Sequence, residues 1–395
     1  MAAQNDLPVP LLDLKAQFAT IKDEVMAAVT QVFDQQAFIL GPHVDQAEKA
    51  LAAHLGVPFA LGVSSGTDAL LLSLMALGVR PGDGVVTTPF TFFATVGSIV
   101  RLGAVPLLAD IDPLTYNLDP AQVEALLSRG DLPAPPKAMI PVHIFGQAAD
   151  MMPLMRLARA HNLKVVEDAA QAIGAVYPGP AGLASIGSIG HTGAFSFFPS
   201  KNLGGAGDGG LITSLDPDLA ARLRSMRTHG SHPQEKYRHV LVGGNFRLDA
   251  VQAAVISVKL KYLEAWSDAR RANAADYDRL FTDSGLVDQG LVSLPQRAWP
   301  SEPRTHVFNQ YVIRATDRDG LMRHLAAAKI GHAVYYPIPM HLLECFAHLG
   351  GQPGDLPQAE QAAAQVLAIP IYPELTPQQK QRVVEVIADF YAQNK

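Results

Sequence analysis

The chain has 395 residues, 48% hydrophobic and 17% charged, which supplies apolar material for more than one packed core and excludes a disordered chain. Against 31 Lys and Arg stand 37 Asp and Glu, a net charge of -6, the reverse of the basic footprint of a general nucleic-acid binder. One cysteine, Cys345, excludes an internal disulfide and a cysteine-rich metal site. No apolar run reaches the roughly 18 residues of a membrane-spanning helix, and the N-terminal stretch lacks the basic start and apolar core of a signal peptide. The expectation is a cytoplasmic protein with no metal, membrane or nucleic-acid partner.

Residues 13–55 read as helical, with Leu14, Phe18, Ile21, Val25 and Val29 three to four apart and a break at Gly41-Pro42. Short β-like runs follow at 59–63, 84–88, 104–109, 138–144, 163–167, 193–198 and 210–214, mostly separated by helix-length segments. Strands alternating with helices imply a largely parallel sheet covered on both faces. Residues 249–280 carry a long helical period that predicts a domain connector. Beyond a Pro-bearing stretch at 283–306, FNQYVIRA and HAVYYPI predict strands and 376–393 a closing helix. The boundary between two domains falls near residue 250.

Four constellations sit at the carboxyl ends of predicted strands, where open α/β sheets bind ligands. Ser64-Ser65-Gly66-Thr67-Asp68 precedes a helix, so it is either a phosphate site at a helix N-terminus or an ordinary cap. The run at 165–171 ends an apolar strand in Glu167 and Asp168, and a carboxylate there is either the partner of a protonated heteroaromatic nitrogen, or a helix cap or metal-free surface acid. Lys201 stands between the aromatic strand at 194–198 and Gly204, Gly205, Gly207, Gly209 and Gly210. A lone lysine is usually a surface residue. The glycines, whose freedom is costly unless used, favour a desolvated Schiff-base lysine with a lowered pKa. Phe90, Phe92 and Phe93 offer an aromatic face to a cofactor ring or pack in the core. Arg222, Arg224, Arg227, His229, His232, Lys236, Arg238 and His239 form a basic segment, a diphosphate contact or a solvated face.

Taken together, the chain resembles the DegT-type (DegT/DnrJ/StrS) sugar aminotransferases, pyridoxal-phosphate enzymes of the aspartate aminotransferase fold type. The motifs are SSGTDAL at 64–70, TPFTFFAT at 88–95, PVHIFGQAADM at 141–151, VVEDAAQAIGA at 165–175, FSFFPSKNLGGAGDGG at 195–210, GGNFRLDAVQAA at 243–254 and YYPIPMH at 335–341. The resemblance implies an α/β fold type I PLP-dependent transferase. Its large domain, residues 1–250, carries a mostly parallel seven-stranded sheet, and residues 251–395 form a smaller α/β domain with a long connecting helix.

It further implies that Lys201 forms the Schiff base and carries the proton, and that Asp168 pairs with the pyridine nitrogen so that the ring acts as an electron sink. Gly66, Thr67 and Ser196 hold the phosphate, Phe92 stacks on the ring and Gln171 lies beside it. Asn245 reaches the phosphate of the neighbouring subunit, which makes the active site a property of a homodimer. Arg247 is assigned to the donor carboxylate, Tyr336 and His341 to the sugar, and His229 to further substrate contact. Glutamate donates the amine, pyridoxamine phosphate carries it, and a keto sugar linked to a nucleotide diphosphate receives it, in amino-sugar synthesis for surface polysaccharide or antibiotic. Gln171 in EDAAQA and the run Arg247-Leu248-Asp249 resemble members acting at C3 more than those acting at C4, which often have histidine after DAA. Phe246 departs from the tyrosine of many relatives. The alternatives are a C4 aminotransferase and a regulatory member without catalysis. Lys201 argues against the related sugar dehydratases, which carry histidine there. Cys345, in a helix-like context, reads as a small buried apolar side chain rather than a desulfurase thiol. No G-x-G-x-x-G follows the first strand, as a nicotinamide oxidoreductase requires.

Overall fold

The computed structural model describes residues 8–393. Its first helices, α1 (Leu14–Gln35) and α2 (Pro42–Leu55), follow the apolar spacing, and Asp13 starts α1 by accepting from the Lys15 and Ala16 N–H groups at 3.0 and 2.9 Å. Gly41 separates them with a φ of +82°, which only glycine adopts cheaply.

Seven strands build one sheet: β1 (Phe59–Val63), β2 (Gly84–Thr87), β3 (Val105–Leu108), β4 (Pro136–Met139), β5 (Lys164–Asp168), β6 (Thr192–Ser196) and β7 (Gly210–Ser214). Their order is β1-β7-β6-β5-β4-β2-β3, and only β7 runs antiparallel to its neighbours. Parallel neighbours need crossovers, supplied by α3 (Gly66–Ala76), α4 (Phe93–Arg101), α5 (Pro120–Leu127) and α6 (Met151–Ala160), with α7 (Pro217–Arg227) after β7. Both faces are covered, so β2 and β7 are buried along their whole length. The run expected at 138–144 stops being a strand at Met139. Pro141 has no N–H to give, although its carbonyl accepts from Asp168 N at 2.9 Å and His143 N donates to Asp168 O at 3.0 Å.

The single long helix expected over 249–280 is two, α8 (Ala250–Leu260) and α9 (Leu263–Asp283). At the junction Lys261 and Tyr262 donate to carbonyls three residues back, at 3.3 and 3.0 Å, instead of four. Leu263 packs in the core beneath the large sheet, whereas Ala274, Tyr277 and Phe281 belong to a second core. That core holds the antiparallel sheet of β8 (Val292–Ser293), β9 (Tyr311–Ala315) and β10 (Val366–Ile369). Around it lie α10 (Arg318–Ala327), α11 (Pro357–Gln365) and α12 (Pro377–Gln393). Val9 enters the same core and pairs with Ile330. The strand expected at 332–338 reduces to one bridge between Ala333 and Ala368. Pro337 and Pro339 break the ladder, and the chain turns so that Tyr335 and Tyr336 line a cavity.

Candidate active site

The cavity, about 480 Å³, opens where β1, β5 and β6 end and where the 335–336 turn approaches them. On the side formed by the start of α3, Ser65 caps the helix by accepting from Asp68 N at 3.0 Å, and Ser64 Oγ donates to Asp68 Oδ2 at 2.6 Å. The capping reading of this segment is therefore correct for Ser65. The first-turn N–H groups of a helix have no partner within it, and Gly66 and Thr67 border the cavity at that turn. A Cβ on Gly66 would stand 2.7 Å from Ser196 Cβ, so glycine is required for α3 and β6 to meet there.

Asp168 ends β5 and is buried. Thr95 Oγ1 donates to its Oδ2 at 2.8 Å and Ala170 N to its Oδ1 at 3.2 Å, while Thr91 and Thr95 share a 2.8 Å hydroxyl contact. Burial pushes the carboxyl's pKa up, opposed by these hydrogen bonds and by the charge of Lys201. Lys201 follows β6 and extends into the cavity. Burial pushes its amine down to about 8 against the pull of Asp168, so the neutral nucleophile is within reach at physiological pH. The glycines after it let the loop fold back on the protein. A Cβ on Gly204 would meet Pro199 O at 2.3 Å and one on Gly210 would meet Ser65 O at 2.5 Å.

Gln171 is committed at both ends: Oε1 accepts from Phe145 N at 2.7 Å and Nε2 donates to Tyr336 Oη at 3.2 Å. Burial raises the Tyr336 hydroxyl's pKa, which keeps it a neutral partner. Phe92 stands before α4 with its ring 6.0 Å from that of Tyr336, and 56% of it is exposed. Phe90 is buried in the core, and Phe93 stacks on Phe346.

The structure thus brings Gly66, Thr67, Phe92, Asp168, Gln171, Ser196, Lys201 and Tyr336 together around one cavity. Four assigned residues do not line it. Asn245 is exposed, and its backbone bridges Thr228. Arg247 pairs by its backbone with Val63, and its buried Nε has no partner. His229 is exposed on the loop entering the hairpin of Ser231–His232 and Glu235–His239. His341 is buried with Nε2 3.0 Å from Glu360 Oε1. In the basic segment, Arg227 is spent internally on Glu48 and, at 2.9 Å, on Gly62 O, and Arg238 donates to Glu235 at 2.8 Å. The Lys236 side chain lies outside the described part. Cys345 is exposed, contrary to its apolar reading, and stands outside the cavity. Sequence reasoning missed Thr95, whose four-residue spacing from Thr91 put both hydroxyls on one side, and His143, quoted within PVHIFGQ without a role.

Among the described residues no cluster of His, Cys, Asp or Glu is arranged for a metal, and no helix is long and apolar enough to cross a membrane. The residues do fit pyridoxal phosphate: a helix start closed by Gly66 for the phosphate, a buried carboxylate for the ring nitrogen and a lysine of lowered pKa. This fold and site define a pyridoxal-phosphate-dependent aminotransferase of fold type I. The model of the DegT/DnrJ/EryC1/StrS aminotransferase family matches residues 19–388, and the chain belongs to that family. A pleiotropic regulatory protein of Geobacillus stearothermophilus is 47% identical, over 97% of this chain and 98% of its own. A UDP-N-acetyl-3-dehydro-alpha-D-glucosamine 3-aminotransferase of Acidithiobacillus ferrooxidans is 40% identical, over 96% and 97%. The crystal structure of DesV of Streptomyces venezuelae in complex with a ketimine intermediate superposes with a TM-score of 0.88, at 40% identity and over 97% and 98% of the two chains.

Proposed function

We propose that this nucleotide-sugar aminotransferase moves the amino group of glutamate to C3 of a keto sugar linked to a nucleotide diphosphate. The observation that carries the chemistry is the amine of Lys201, lowered to about 8, in the same cavity as buried Asp168. The preference for C3 is supported by Gln171 and Arg247 in their sequence context and by the 3-aminotransferase relative, 40% identical. When bound, pyridoxal phosphate supplies the electron sink that stabilises negative charge at the reacting carbon.

The protein's residues supply the rest. The N–H groups of Gly66 and Thr67 and the hydroxyl of Ser196 hold the phosphate at the α3 N-terminus. Asp168, kept in place by Thr95 and the Ala170 N–H, keeps the ring nitrogen protonated. Lys201 Nζ, the flexible base of the cavity, takes a proton from the donor's α-carbon and later returns one to the sugar carbon. Phe92 would cover a face of the bound ring, and the Gln171–Tyr336 pair would line the part of the cavity left for the sugar. We assign Asn245, Arg247 and His229 to the cavity of a second subunit, where Arg247 meets the donor carboxylate. His341 is left out of the sugar contacts, because its Nε2 is engaged by Glu360.

The test is amination with glutamate of matched 3-keto and 4-keto nucleotide sugars, with the position of the amine read by NMR. A product aminated at C3 is expected. Reaction of the 4-keto substrates alone would move the assignment to C4, and no transfer to any of them would overturn the catalytic reading. The regulatory relative motivates one control: Lys201→Ala abolishes amination, whereas a purely regulatory role would survive it.

A further inference from the structure

Immediately before Asp168, a second carboxylate is buried whose use the amination chemistry leaves unexplained. Glu167 and His143 are both fully buried, and His143 borders the cavity. Glu167 Oε1 accepts from Ile189 N and Gly190 N, each at 2.7 Å, and Oε2 accepts from Gly187 N at 2.9 Å. The Nε2 of His143 lies 3.2 Å from Oε2. On the other side of the imidazole, Ala149 N donates to His143 Nδ1 at 2.9 Å.

These contacts determine where the protons are. An N–H donor at Nδ1 means that Nδ1 is bare, so the ring proton is on Nε2 and points at Glu167. With four donors around it, Glu167 is the ionised partner. The imidazole therefore stays uncharged although it touches a carboxylate. Its other ionisable neighbours lining the cavity are Asp168 and Lys201. A cationic imidazole there would compete with the cofactor's ring nitrogen for the Asp168 carboxylate, and a neutral one does not.

We propose that Glu167 is a positioning residue that locks His143 as the neutral Nε2–H tautomer and pins the 187–190 loop, so that Asp168 is reserved for the protonated nitrogen of the bound heteroaromatic ring. Neither residue touches a reacting carbon in this arrangement. Their effect is on ring binding, which is separable from amination and independent of which sugar carbon is aminated.

The decisive variant is Glu167→Gln. Its amide would turn N–H groups toward donors: if the amide faces Gly187 and His143, His143 must accept at Nε2 while Ala149 still demands an acceptor at Nδ1, and a neutral imidazole cannot do both. Two readouts are made on the full chain. One is titration of the apoprotein with pyridoxal phosphate, followed by fluorescence. The other is the ¹⁵N spectrum of histidine-labelled holoenzyme at neutral pH, with the His143 signals assigned by their loss in His143→Gln. The wild type should show one protonated and one bare nitrogen. Glu167→Gln should bind the cofactor at least about tenfold more weakly, as expected for a lost hydrogen bond to a buried charge, and lose that tautomer. Native affinity with an unchanged tautomer, or a doubly protonated His143 in the wild type, would overturn the proposal. Should Glu167→Gln not fold, His143→Gln and His143→Leu decide. Glutamine can accept from Ala149 and donate to Glu167, so it should bind the cofactor far better than leucine, and equal affinities would overturn the proposal.

Discussion

At Lys201 burial favours the neutral amine and the charge of Asp168 favours the ammonium; burial wins, and the pKa falls from 10.5 to about 8. Only the neutral amine attacks an aldehyde. The rate at which the apoprotein takes up pyridoxal phosphate should rise with pH through about 8 and then level off, in stopped-flow absorbance; a rise centred near about 10.4 would mean an amine open to water. The same shift acts on stability. Because the folded-state pKa is the lower, the unfolded chain binds more protons between about 8 and 10.5, and apoprotein stability rises with pH across that window. Below it the charged amine costs up to roughly 3 kcal/mol, reduced by whatever water the cavity admits. Lys201→Met should therefore raise the apoprotein's Tm at neutral pH, by a margin that shrinks as pH climbs through the window. Thr95 acts on the other partner. Thr95→Val keeps the shape and removes the donor to Asp168 Oδ2, which loosens the ionised carboxylate and should weaken cofactor binding by about tenfold or more. Thr95→Ser should restore it, as read by the same fluorescence titration.

Among the elements, α11 is tied to the large sheet by one carboxylate. Asp110, just past the end of β3, accepts from Gln358 N and Ala359 N at 2.8 and 2.9 Å and so caps a helix almost 250 residues further on. Asp110→Ala should cost about 1 kcal/mol, seen as a lower urea midpoint with an unchanged slope. No sequence pattern shows such a cap, because its two halves meet only in the fold. The strands were legible for the opposite reason: β1 is the apolar run FALGV between Pro58 and Ser64, β7 sets Leu211 and Ile212 between glycine and hydroxyl residues, and the expected limits 59–63 and 210–214 are the observed ones. Proline decided the misreadings at 138–144 and 332–338, where apolar content suggested strand and the missing N–H groups prevented a ladder. Asp168 stood out as an acid ending an apolar strand, and Lys201 as a lysine between an aromatic strand and a run of glycines. His143 and Glu167 were not singled out as a pair, since 24 residues separate them and only the side-by-side placement of β4 and β5 joins them.

For the whole molecule, assembly is argued from what a single chain leaves uncovered. Phe92 and Phe198 line the cavity yet are 56% and 53% exposed, and Val240 and Val242 beside the hairpin are 48% and 85% exposed. Apolar surface next to a catalytic cavity marks a face for association. Asn245 is exposed and lies outside its own chain's cavity, although it carries an assigned role there. A twofold dimer in which each chain lends Asn245 to the other would account for both facts. The consequence is specific. Lys201→Ala and Asn245→Ala chains should each be inactive or strongly impaired as homodimers, for different reasons. Unfolded together and refolded in equal amounts, half of the dimers are mixed. In each mixed dimer one site has both lesions and the other has neither, so activity returns to about a quarter of the wild-type value per chain. If Asn245 served its own chain's cavity, every site would carry one lesion and mixing would restore nothing.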